Sequence, residues 1–406
     1  MARKKILIFS LAYHPFVGGA EIAIKEITDR IDPGRITFHM ITSRLDSTLP
    51  KEEQVGNVLV HRVGWGGKKT SVSKSYGPFF FLAKAFFVPF AVRKAIVLHK
   101  KYSFDGMWAM MTYMLFPIVL LRLFRVRLPY LLTLQEGDPF ERVFGRIHIL
   151  PFRPLLSWGF RHASAVSAIS TYLGAWAKKA GFPGVPHVVP NGVAVGLFSQ
   201  EFPQMSLDMV KNELGKKMGD VFLITTSRLV NKNAVDDVIR ALALLPENVH
   251  FVVLGEGPEE KKLKHLAGAL DVSDRVKFLG HIDHADMPKY LKAADIFIRP
   301  SRSEGMGNSF IEAMAAGLPI VATQEGGIAD FLFDEKRNPD KPITGWAVEK
   351  NSPEDIARVA RGIMDNQEKV RAVTRTAKEL VREKYDWRVV AGEMEVLFEK
   401  IAAARR

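Results

Sequence analysis

From Arg299 to Ile328 the chain reads RPSRSEGMGNSFIEAMAAGLPIVATQEGGI, and its chemistry-bearing residues are Glu304 and Glu312, eight positions apart. Between them Gly305, Met306, Gly307 and Asn308 form a turn into a helix that opens at Asn308 or Ser309. A strand, a glycine turn and a helix N-terminus together make an anion site, because unpaired N–H groups and the positive end of the helix dipole converge there. A carboxylate beside an anion is repelled. If the anion is the phosphate of a nucleotide, the two carboxylates should face hydroxyls instead: Glu304 could accept from a sugar ring and Glu312 from a ribose. Two plainer readings stay open: Ser309-Phe310-Ile311-Glu312 also spells a capping box, and a glutamate in a glycine loop is commonly only solvated.

Those residues need a strand before them and a packed helix after. Asp295 to Ile298 is an apolar strand-like run; Phe310, Ile311, Met314 and Ala315 give the helix one apolar side up to Gly317, and Ile320 to Thr323 returns as a strand. The same alternation runs through the chain and predicts an α/β fold. Lys5 to Leu11 reads as a buried strand, Gly18-Gly19 as a turn, and Ala20 to Ile31 as a helix. Ile36 to Thr42, Val58 to Val63, Leu131 to Leu134, Ala163 to Ser170, Val221 to Thr226, Val249 to Gly255 and Arg275 to Gly280 follow as strands or strand ends. Ser352 to Lys384 reads as helical. The dinucleotide fingerprint G-x-G-x-x-G is absent from the first turn, which disfavours an NAD-dependent oxidoreductase. At 406 residues the chain suits two domains, and the turn Pro190-Asn191-Gly192 marks their boundary.

The segment EGMGNSFIEAMAAGLPIVAT resembles the Glu-x7-Glu signature of the retaining glycosyltransferases of family 4, which have the GT-B fold. Three further stretches resemble that family in the same order: His14 to Glu21, Val189 to Val193, and Ser227-Arg228-Leu229-Val230-Asn231-Lys232. The resemblance implies two Rossmann-like domains facing across a cleft, closing over the substrates. Residues 1–190 would bind the acceptor, residues 191–384 the nucleotide sugar, and the helix in 385–406 would cross back to the first domain. It implies that Arg228 and Lys232 clamp the diphosphate, and that the backbone near Leu279 meets the base. Glu304 would hold the sugar, with Gly305, Met306, Gly307, Asn308 and Glu312 around the donor, and Gly18 and Gly19 facing the phosphates. Many relatives carry a histidine where this chain has Gln135. An amide takes up no proton, so Gln135 cannot be a general base. Glu136 and Asp138 are candidates to replace it and equally candidates merely to end a strand. Asn233 replaces a frequent glycine and is expected to tighten the approach to phosphate.

The net charge of +13 is unevenly spread: residues 1–200 carry 26 Lys and Arg against 11 Asp and Glu, the remainder 31 against 33. A basic first half points to an anionic surface. No nucleic-acid module is recognisable, whereas Phe79 to Lys101 and Met114 to Leu134 interleave aromatic and basic residues in the manner of elements lying in a bilayer interface; two core helices with basic edges are the alternative. The chain has no cysteine, which excludes disulfides and cysteine-bound metals, and the short apolar run after Lys5 reads as a strand and not as a signal peptide, so a cytoplasmic address is expected.

The expectation is a retaining hexosyltransferase, UDP- or GDP-dependent, without metal or other cofactor. Its acceptor would be a membrane-linked saccharide or glycolipid, and it would work at the inner face of the membrane. The alternative is a catalytically silent GT-B protein that binds a nucleotide or polysaccharide.

Overall fold

The computed structural model describes residues 3–16, 18–67, 78–147 and 149–404, apart from the side chains of residues 78–83 and 85. The aromatic run Phe79-Phe80-Phe81 therefore lies outside the described side chains. The chain divides into two compact units, Met1–Asn191 with Trp387–Arg406, and Gly192–Asp386.

The first unit is built on eight strands: β1 (Lys4–Phe9), β2 (Ile36–Ser43), β3 (Glu52–Val55), β4 (Val58–Val63), β5 (Gly106–Met110), β6 (Tyr130–Leu134), β7 (Ala165–Ala168) and β8 (His187–Val188). They lie in the order β3-β4-β2-β1-β5-β6-β7-β8, parallel except for the β3–β4 pair. Parallel strands covered on both faces must be apolar throughout, and β6, YLLTL, is buried at every position. Neither β3 nor β5 is evident from the sequence pattern. The helix Trp387–Ala403 belongs to this unit: Val390, Ala391, Met394, Leu397, Phe398 and Ile401 recur at three- and four-residue spacing and are buried. Phe398 meets Trp108 edge-on at 4.9 Å.

Among the described side chains, both segments expected in a bilayer interface contribute residues to the core. In the helix Pro78–Tyr102, Phe87, Ala91, Val92, Ala95 and Leu98 are buried. Met114 to Leu134 resolves into a helix, Leu115–Leu123, with Leu115, Ile118, Val119 and Leu121 buried, and then β6. These residues serve packing, whereas Phe86, Val97, Leu123 and Phe124 are exposed.

Inside this unit two histidines face each other, His39 Nδ1 lying 3.2 Å from His61 Nε2, with His61 Nδ1 3.1 Å from Glu52, which Lys94 pairs at 2.7 Å. Burial, then the neighbouring His61, lowers the His39 pKa from 6.5 to about 4. A histidine with a depressed folded pKa stays neutral when folded but protonates when unfolded, so its contribution is intact above pH 6.5 and is lost as pH falls towards 4. On the order of 3 kcal/mol of stability should disappear across that window. Denaturant midpoints measured from pH 7 to 4 check this; a His39→Gln variant should show a shallower fall.

The second unit has six parallel strands, β9 (Val221–Thr226), β10 (Val249–Leu254), β11 (Val276–Gly280), β12 (Ile296–Arg299), β13 (Ile320–Ala322) and β14 (Trp346–Ala347), in the order β11-β10-β9-β12-β13-β14. The order reverses between β9, which has β10 on one side, and β12, which leads to β13. At such a switch point the loops leaving adjacent carboxyl ends diverge and leave a ligand crevice. The long helical stretch after Ser352 is two helices, Pro353–Asp365 and Gln367–Lys384. Asn366 interrupts them and caps the second, its side chain accepting the Lys369 N–H at 3.0 Å.

Candidate functional site

The loops that follow β9 and β12 lie side by side at the switch point, and one arginine ties them together. Arg302 donates to the Asn231 carbonyl at 2.6 Å and to Asp236 and Asp237 at 2.8 to 3.0 Å, and its N–H donates to the Lys232 carbonyl at 2.7 Å. Burial raises Asp236, but the hydrogen bond and charge of Arg302 outweigh it and hold this carboxyl below its ordinary range. Asp237 is pushed up by burial and by Asp236. Asn233 is buried and donates to the Arg228 carbonyl at 2.6 Å. It braces the loop from within, and the left-handed backbone belongs to Ala234 (φ 54), so the side chain of Asn233 serves the turn. The Arg228–Lys232 segment is thus held through its backbone as the loop leaves β9.

The β12 loop is organised around Arg299, which is 6% exposed at the strand's end. Its Nη2 donates to Glu304 Oε2 at 2.8 Å and its Nη1 to Ser309 Oγ at 2.7 Å, while the guanidinium lies 4.2 Å from the Phe310 ring centre. Burial lowers the guanidinium pKa, and the charges of Glu304 and Glu312 oppose the shift. The second Glu304 oxygen accepts the Gly305 N–H at 3.1 Å. Glu304 is therefore not a free loop carboxylate: each oxygen has one donor and keeps a lone pair for a hydroxyl.

Glycines make this close approach possible at two positions. A Cβ on Gly307 (φ 89) would lie 2.6 Å from Arg299 Nη2, and one on Gly326 (φ 62) would lie 1.9 Å from the Glu304 carbonyl. Both positions also need the left-handed backbone that glycine adopts without strain.

The helix runs Asn308–Ala316 with Gly307 as its N-cap and no side-chain cap. The capping box suggested by Ser309 and Glu312 does not form, because the N-cap is Gly307, two residues earlier, and Ser309 is bonded by Arg299. Glu312 instead meets His284 Nε2 at 3.1 Å, and His284 packs edge-on to Phe198 at 5.1 Å. Leu279 lies near the end of β11, where Gly280 accepts the Gly255 N–H at 2.7 Å. Arg228, Lys232, Leu279 and Glu304 to Gly307 lie at carboxyl ends of strands or in the turns that follow them, and Asn308 and Glu312 in the first turns of the helix after β12, all within this one unit. Buried polar atoms without a protein hydrogen bond gather in the same region: Thr226 Oγ1, Ser227 Oγ, Asn233 Oδ1, Ser301 Oγ and Arg299 Nε. Buried polar atoms left unpaired by protein are normally met by water or ligand.

The remaining candidates belong to the first unit. Gly18 caps the helix Gly19–Thr28, and a Cβ there would lie 2.5 Å from Glu21 Oε2. Burial raises the Glu21 pKa, opposed by hydrogen bonds from its own N–H and that of Gly18. Glu21 thus occupies amides at this helix start. Gln135 and Asn191 pair through their amides at 2.9 Å and 3.4 Å. Glu136 is buried; it accepts the Thr112 N–H at 2.7 Å and the Gln135 N–H at 3.0 Å, linking the ends of β5 and β6. Burial raises its pKa, and those bonds only partly offset the rise. Asp138 is paired with Arg146 at 3.3 Å and Arg142 at 3.8 Å. Among the described residues no group of three or more His, Cys, Asp or Glu is placed to hold a metal ion.

Sequence reasoning passed over Arg299, Arg302 and Glu21, although all three stand inside the motifs it used. Their only signal was a charged residue within a few positions of a proline or glycine.

Two family profiles match this sequence, the glycosyl transferase 4-like domain over residues 18–192 and the glycosyl transferases group 1 over residues 208–380. A GDP-mannose-dependent monoacylated alpha-(1-6)-phosphatidylinositol monomannoside mannosyltransferase of Corynebacterium glutamicum is 29% identical over 50% of the chain and 53% of its own length. An alpha-monoglucosyldiacylglycerol synthase of Streptococcus pneumoniae is 33% identical over 36% of the chain and 34% of its own. The chain thus spans about half or less of the length of these curated relatives. Sucrose-phosphate synthase from Thermosynechococcus elongatus superposes with a TM-score of 0.81 at 19% identity, covering 99% of this chain and 100% of that one. With profiles covering both halves and the fold shared over the full length, the chain belongs to the group 1 glycosyltransferases and has their two-domain GT-B architecture.

Proposed function

We propose that this protein transfers a hexosyl group from a UDP- or GDP-linked sugar to a membrane-linked saccharide or glycolipid acceptor, with retention of anomeric configuration and without a divalent metal. The observation that carries the reading is the second unit's switch point: two cations, Arg228 and Lys232, on a braced loop, beside a helix start and a carboxylate fixed by Arg299. Arg228 and Lys232 neutralise the diphosphate as the C1–O bond breaks and its electrons pass to the phosphate oxygen. That oxygen accepts the acceptor hydroxyl's proton while the new C1–O bond forms on the same face. No protein base is then required, which accommodates Gln135. Glu304 and Glu312 accept hydrogen bonds from sugar and ribose. The activities for which the two bacterial relatives are named, mannosyl transfer from GDP-mannose and synthesis of a glucosyl lipid, support the donor and acceptor classes.

A thermal-shift screen with UDP-glucose, GDP-mannose and ADP-glucose, followed by transfer assays with and without EDTA, tests this. Stabilisation by one donor and transfer unaffected by EDTA are expected. Loss of transfer in EDTA with recovery on adding Mg²⁺ or Mn²⁺ would remove the metal-free step. Binding without transfer to any acceptor would favour a silent nucleotide-binding protein, the reading that Gln135, locked against Asn191, makes worth testing.

The acceptor side carries the membrane surface. Among the described residues no helix is long and apolar enough to cross a membrane. Exposed apolar residues of the first unit nevertheless lie beside bases: Leu123 and Phe124 next to Arg125 and Arg127, and Phe152, 5.6 Å from Phe116, next to Arg153. Such a face suits the inner, anionic leaflet, from the cytoplasmic side. Co-sedimentation with phosphatidylglycerol vesicles should exceed that with phosphatidylcholine vesicles and fall as salt rises; equal recovery on both would count against it.

A further inference from the structure

We propose that Arg299 is the positioning residue that sets Glu304 against the start of the Asn308–Ala316 helix, so that sugar and diphosphate are gripped in one fixed geometry. The inference rests on the donor reading above and adds a residue to it.

One buried guanidinium reaches both halves of the site. Nη2 holds Glu304 at 2.8 Å and Nη1 holds Ser309, the second residue of the helix, at 2.7 Å. The planar fork of arginine fixes the separation of its two nitrogens, so the carboxylate and the helix start cannot drift independently. The ring of Phe310 lies over the guanidinium and Gly307 leaves room beside it, so side-chain rotation is restricted. The Thr226 carbonyl, at the end of β9, also accepts from Nη1 at 3.4 Å and anchors the guanidinium to the sheet. A solvated glutamate loses rotamer freedom when it takes hold of a hydroxyl; a glutamate already fixed loses little, and binding gains by that difference. Lysine, a point charge on a flexible stem, reproduces neither the fork nor the ring contact.

A residue that only supports the fold would weaken every ligand of the unit together. A residue that places Glu304 should weaken the sugar-bearing ligand selectively. The experiment measures binding of UDP, UDP-glucose, GDP and GDP-mannose by calorimetry to the full chain and to Arg299→Lys and Arg299→Gln; the lysine variant keeps the buried charge if the glutamine variant folds poorly. The expected result is that the ratio of nucleotide-sugar Kd to nucleoside-diphosphate Kd rises about tenfold in both variants, the loss of one charge-assisted hydrogen bond. Glu304→Gln should raise the ratio similarly, and adding Arg299→Lys to it should change the ratio little further. Equal weakening of both ligand types, or an unchanged ratio, overturns the inference while leaving the donor site intact. Failure of the unaltered chain to bind all four ligands overturns the donor reading itself, and this inference with it.

Discussion

Replacing Arg228 or Lys232 by alanine is expected to lower kcat by about 10²–10³-fold, the cost of removing one preorganised donor from a developing anion. The loop that carries them is held by other groups: Asn233 bonds the Arg228 carbonyl, and Arg302 bonds the carbonyls of Asn231 and Lys232. Truncating either side chain leaves those backbone bonds in place, so the loop stays braced and stability should fall by no more than about 1 kcal/mol. Arg228→Lys should recover only part of the rate, because an ammonium cannot fork across two phosphate oxygens. Single-turnover transfer rates, read beside thermal unfolding of the same preparations, check the prediction. A rate within about threefold of the unaltered chain would take both cations out of the mechanism.

Glu304→Ala should be the most destabilising of the site substitutions, by about 3–5 kcal/mol, because it leaves the buried Arg299 charge without its carboxylate. Both members of this pair are shielded, their side chains 6% and 13% exposed. The His284–Glu312 pair gives the contrast: His284 is 48% exposed, and Glu312→Ala should cost no more than about 1 kcal/mol. Two glutamates that look equivalent in the motif thus differ in what they do for the fold. Urea midpoints of the two variants decide it; a Glu304→Ala midpoint no lower than that of Glu312→Ala would mean that the guanidinium has found other compensation. The loss would come from a total that is typically 5–15 kcal/mol, so the variant should be examined at low temperature and without denaturing purification steps.

The alternation of apolar runs with glycine turns and amphipathic stretches was enough to assign an α/β fold, a helix start at Asn308 or Ser309 and the loop of Arg228 and Lys232 after β9. These features depend on residues close together in the chain: strand and helix periodicities are local, and glycine marks the turns itself. Partner choice was not legible in the same way. Ser309 and Glu312 satisfy a local capping pattern, but a buried arginine ten residues back took the serine and a histidine from another loop met the glutamate. The aromatic, basic stretches of the first half fit a membrane face by composition. Packing against the sheet buried most of their described apolar residues and left Phe86, Val97, Leu123 and Phe124 exposed. Periodicity tells which face of an element is apolar; only the tertiary structure says what covers it, because burial is settled by segments far away in sequence. Sequence alone therefore determined most of the elements and the candidate ligand-binding loops, while the folded chain decided that Arg299 and Arg302 hold those loops in place, since the geometry of a guanidinium counts only once its partners have been brought within 3 Å of it.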